Sequence, residues 1–73
     1  MYKDTINNLL LEFSAPEELT ANMVECYMRL EYQTLSHLSI DVFRRETKQC
    51  VCAAVSDPEF IEEMKECIKS YGM

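Results

Sequence analysis

Apolar residues recur along this chain at intervals of three and four, the spacing that lines one face of an α-helix. Ile6, Leu9, Leu10 and Phe13 keep that spacing and predict a first helix from about Asp4 to Phe13. Near the other end, Phe60, Ile61, Met64, Cys67, Ile68 and Tyr71 share a face opposite Glu59, Glu62, Glu63 and Glu66. That division predicts a last helix beginning after Asp57, with Gly72 placed as its C-terminal stop.

Two stretches share one grammar of a capping residue, a proline and then glutamates: Ser14 to Leu19 and Ser56 to Ile61. Ser14 with Glu17, and Ser56 with Glu59, have capping-box spacing, and proline is tolerated in a first helical turn. Both stretches therefore read as helix starts. The first predicts a long second helix, about Ala15 to His37, as the spine of the fold. Around it, Leu19, Met23, Cys26, Tyr27, Leu30, Thr34 and Leu38 form one broad stripe. Val24, Met28, Tyr32 and Leu35 form a second, adjoining stripe.

Residues 38–55 carry two signals. Leu38, Ile40 and Val42 alternate as a strand does, but the "RRETK" that follows contains no residue suited to a tight hairpin turn. Read as a helix capped by Ser39, the same segment puts Ile40, Phe43, Thr47, Cys50, Val51, Ala54 and Val55 on one face. The helix is favoured. The expected fold is all-α, a small bundle of three to four helices in one domain spanning residues 1–73. The alternative is α+β, with a hairpin at 38–55.

Composition sharpens this picture. Hydrophobic residues at 48% argue for a folded chain, and a single glycine leaves few sites for hairpin turns. A chain this short buries only roughly 60% of its unfolded surface, so association with a partner is a common supplement. The net charge of −6 counts against nucleic acid and against anionic membranes, both of which attract bases. The charge is uneven: residues 39–56 hold two acids and three bases, Arg44, Arg45 and Lys48, between acidic flanks. The N-terminal sequence lacks the basic and unbroken apolar segments of a secretory signal, so a cytoplasmic setting with reduced thiols is expected.

Catalytic and metal chemistry finds little support. Cys50 and Cys52 point roughly 200° apart on a helix, while Cys26, Cys67 and His37 are scattered, which is poor zinc-site spacing. Cys26, Cys50 and Cys67 fall on apolar stripes and read as core; Cys52, near Arg45 and Lys48, reads as the exposed thiol. His37 reads as a packed or end-capping histidine on helix two. No enzyme, cofactor or metal is expected.

The expected function is non-catalytic: an acidic protein-binding module, such as a regulator, inhibitor or chaperone-like adaptor, acting through an apolar helix face. Helix two carries more apolar surface than one core needs. Its second stripe, Val24, Met28, Tyr32 and Leu35, is therefore the expected contact with a partner protein or with a second copy in a homo-oligomer. One alternative is a helix-turn-helix-like DNA-binding regulator using Arg44, Arg45 and Lys48. Another is a nucleic-acid mimic presenting Glu59, Glu62, Glu63 and Glu66 to a basic protein.

Overall fold

The structure, a computed structural model, describes residues 2–71. Four helices follow one another: α1 (Tyr2–Glu12), α2 (Ala21–Tyr32), α3 (Ile40–Ser56) and α4 (Pro58–Ser70). No strand occurs among the described residues, so the hairpin alternative at 38–55 falls away. Ser39 caps α3 as expected, its hydroxyl accepting from the Val42 N–H at 3.2 Å. No helix among the described residues is long and apolar enough to cross a membrane.

The expected spine is cut short at both ends. Ser14 does not cap a helix start; it closes α1, with φ 51° in the left-handed region. The Ser14 N–H donates to the Leu11 carbonyl at 3.2 Å and the Ala15 N–H to that of Leu10 at 2.9 Å. These are the two bonds of a Schellman motif, which uses up the residue the capping box needed. The chain then turns through Pro16, and Leu19 drops into the core at 3% exposure. Only then does Thr20 cap α2, accepting from the Met23 N–H at 3.2 Å.

At its other end α2 stops at Gln33, whose φ of 65° supports a tight turn closed by the Thr34 N–H on the Tyr32 carbonyl at 2.7 Å. Thr34 and Ser36 then bond to each other and to the local backbone, the competition that makes such residues poor helix interiors. Helix two is thus 12 residues and α3, at 17, is the longest. His37 consequently lies exposed in the α2–α3 loop rather than on a helix.

A single residue joins the last two helices. Asp57 rather than Ser56 is the cap: its N–H donates to the Ala53 carbonyl, ending α3, and its carboxylate accepts from the Glu59 N–H at 3.1 Å, starting α4. Pro58 occupies the first turn, where a missing N–H costs nothing. The Gly72 stop read from the sequence lies outside the described residues.

The helices α2 and α3 form the central pair; each packs on the other three elements, while α1 and α4 do not meet. One cluster fills the centre, including Ile6, Val24, Met28, Phe43, Ile61 and Met64. Thr47 is buried within α3 and its hydroxyl has no partner among the described residues, a cost of about 1–3 kcal/mol in general. The Cα envelope measures 29 × 28 × 15 Å, a thin body in which nearly every helix face is close to solvent.

The left-handed Ser14 yields a direct prediction. Ser14→Gly removes the side-chain clash of that conformation, worth about 1–2 kcal/mol, less some added unfolded-state entropy. A rise in melting temperature of roughly 4 °C is expected by circular dichroism. An unchanged or lower value would contradict the Schellman closure of α1.

Candidate acidic and aromatic cleft

The stripe expected to face a partner is largely inside. Val24 is 0% exposed, Met28 2% and Leu35 1%, so these three are core rather than interface. The reason is rotational: the two apolar stripes of α2 adjoin, and the surrounding helices converge on the second one. Leu35 reaches the core from the α2–α3 loop. The first stripe, expected to be core, instead supplies the half-buried edge of the molecule at Met23, Cys26, Tyr27 and Leu30.

Tyr32 alone of the predicted four remains partly accessible, and it lines a cleft between α2, α3 and α4 of about 280 Å³. Helix α2 contributes Tyr27, Glu31 and Tyr32; α3 contributes Glu46 and Cys50; α4 contributes Phe60. Tyr27 and Glu31 are four residues apart and so share a face of α2, as do Met28 and Tyr32. Glu46 and Cys50 stand in the same relation on α3. A second hollow of about 220 Å³ shares Tyr27 and Glu31 and extends to Cys67 and Tyr71.

The cleft has a defined wall. The Tyr27 and Phe60 rings meet edge to face with centroids 5.7 Å apart. The Tyr27 hydroxyl donates to Glu31 Oε1 at 3.4 Å. Among the described residues, no lysine or arginine lines either hollow. The cleft also lies beside the C-terminal end of α2, where the helix dipole is negative and cations are favoured.

Proton affinities carry the same sign. Burial, followed by the Glu31 charge, pushes the Tyr27 phenol up to about 12. Burial and then the nearby Glu46 raise the Tyr32 phenol, although Arg45 is near enough to pull the other way. Burial and then Glu31 push the Cys50 thiol up to about 11. One carboxylate, Glu31, thus opposes a new negative charge at three surrounding groups. At neutral pH these groups are held protonated, and Cys50 offers little thiolate.

The remaining sequence candidates are spread over other faces. Glu59, Glu62, Glu63 and Glu66 are all exposed on α4, and Lys65 bridges Glu62 at 3.3 Å and Glu18 at 3.4 Å. Arg44, Arg45 and Lys48 are exposed on α3. All four cysteines are half-buried, so Cys52 is not the single accessible thiol expected, and Cys26, Cys50 and Cys67 are not fully core. Each cysteine stands at the margin of a buried helix face rather than at its centre, as Cys50 does beside Val51. Among the described residues, no group of three His, Cys, Asp or Glu side chains is placed to hold a metal ion. A separate apolar groove of about 390 Å³ runs between α2 and α4 over Met23, Cys26 and Ile68.

Sequence reasoning missed Tyr27, Glu31, Glu46 and Phe60 as one constellation. The Tyr27–Glu31 spacing was available, but their convergence with α3 and α4 follows from packing alone. No family model, curated protein or solved structure matches the chain.

The thiol gives a test of the cleft. Raised from an ordinary 9.0 to about 11, Cys50 holds roughly a hundredfold less thiolate at pH 8. Alkylation by iodoacetamide in the native state should therefore slow at Cys50 by roughly tenfold or more relative to the urea-unfolded chain, the greater nucleophilicity of a high-pKa thiolate offsetting part of the loss. Peptide mass mapping that finds Cys50 alkylated equally fast in both states would contradict this environment.

Proposed function

We propose that this chain is a non-catalytic protein-binding module whose working surface is the cleft between α2, α3 and α4. The observation that supports this reading is the cleft's composition: aromatic walls from Tyr27, Tyr32 and Phe60, with Glu31 and Glu46 beside them and no lining base. Aromatic faces and carboxylates both attract cations, and the attraction strengthens where water is partly excluded. The occupant is the lysine or arginine side chain of a partner protein. Tyrosines suit such a contact because they offer wide, rigid area at little entropic cost.

The surface differs from the purely apolar face expected from sequence, and the kind of activity is unchanged: recognition without chemistry. The module acts as a regulator, inhibitor or adaptor according to what its partner does. The acidic face of α4 makes a second negative surface, but it is open, solvated and partly compensated by Lys65. It contributes long-range attraction rather than a fitted contact.

The test uses the folded chain as bait in extract of its source cell, followed by purification of the captured protein and calorimetry. Glu31→Gln with Glu46→Gln should weaken binding by roughly tenfold or more, because each close charge pair lost costs about a kcal/mol or more. Replacing Glu59, Glu62, Glu63 and Glu66 by Gln should change the affinity far less. The reverse order would transfer the function to the α4 face and support the nucleic-acid mimic.

A further inference from the structure

The long helix α3 carries opposite charges on opposite flanks. Arg44 and Lys48 are one turn apart and face α1, where they line a polar cavity of about 280 Å³ with Thr5, Asn8 and Glu12. Glu46 lies about 200° around the helix from Arg44 and belongs to the acidic cleft. Among the described residues, none of the ion pairs involves Arg44, Arg45 or Lys48. Glu12 shares the Arg44 cavity without pairing to it, although the chain holds 13 acids against 7 bases. Lys48 Nζ instead sits 5.9 Å from the centre of the Phe13 ring. Arg44 is therefore an exposed guanidinium with no carboxylate engaged.

Resting on the reading of the cleft as a cation-receiving surface, we infer that a second copy of this chain supplies the cation. Arg44 of one copy, flanked by Lys48, enters the cleft formed by Tyr27, Glu31 and Glu46 of the next. A planar guanidinium suits this role because it stacks on tyrosine faces and offers donors to two carboxylates at once. The two contact surfaces are different patches, so the association is head-to-tail, and each open assembly keeps one free cleft at one end and one free arginine at the other. The net charge of −6 opposes approach at long range, but at about 0.15 M salt that repulsion is screened beyond roughly 8 Å. The local contact decides the outcome.

Analytical ultracentrifugation at about 0.15 M salt, with concentrations reaching about 1 mM, tests the inference. The wild-type mass should climb with concentration. Two variants, Glu31→Gln/Glu46→Gln and Arg44→Gln/Lys48→Gln, should each associate at least tenfold more weakly, and circular dichroism should show both folded. Mixed in equal amounts, they should form a heterodimer and nothing larger, since one intact cleft then meets one intact arginine row. A wild-type chain that stays monomeric, variants that associate like the wild type, or a mixture that stays monomeric would overturn the inference. None of those results would touch the cleft's role toward another protein, which stands or falls on whether a captured partner's affinity depends on Glu31 and Glu46.

Discussion

The enclosure of Phe43 is the constraint on which the rest of this small fold depends. Its side chain is wholly buried, and the groups around it come from parts of the chain distant in sequence. The Tyr2 ring lies 4.7 Å from it, tilted by 58°, and the Tyr2 hydroxyl donates to the Leu35 carbonyl at 2.9 Å. One tyrosine thus clamps the start of α1 to both α3 and the loop that enters it. A buried phenylalanine is worth about 3–5 kcal/mol, against roughly 4–11 kcal/mol in total for a chain of this length. Few such contacts are available in a body this thin, so each carries a large share.

From that constraint follows the orientation of α2. Val24 and Met28 turn inward with Phe43, Ile61 and Met64, and Tyr27 is left at the edge, against Phe60. Because α2 ends at Gln33, its negative end and Glu31 come together beside α3. The acidic cleft is therefore a by-product of how the core closes. Its electrostatic character needs no metal ligand or catalytic base, only two carboxylates, an aromatic wall and the absence of a lining base.

The periodic parts of the chain were legible in advance. Ser39 as a cap, the apolar face of α3 from Phe43 to Ala54 and the two-sided last helix follow from spacing and from one hydroxyl in the right place, although Ile40 and Tyr71, which spacing put on those faces, lie exposed. The end of α1 and the start of α2 were not, because Ser14 fits two roles and only tertiary structure decides between them. As a helix cap it would satisfy a local rule; as the left-handed closure of α1 it lets Leu19 reach the core. The break at Gln33 was equally hidden, since a positive φ at a non-glycine residue leaves no mark in the sequence. The cleft itself depended on choosing between two adjoining apolar stripes of α2, and spacing alone treats them alike. Once packing resolved that choice, Tyr32 stayed at the surface and Val24, Met28 and Leu35 did not.

The proposed function turns on sign and place: the cleft of Tyr27, Tyr32, Phe60, Glu31 and Glu46 would receive a cation. Aromatic-ring NMR during titration with N-acetylarginine methylamide, a lone arginine side chain without a partner's other contacts, measures this directly. A cation-receiving cleft predicts that the Tyr27, Tyr32 and Phe60 ring protons shift first and together, as expected for a cation over their faces. Equal shifts on addition of sodium chloride, or shifts confined to the glutamate face of α4, would contradict it.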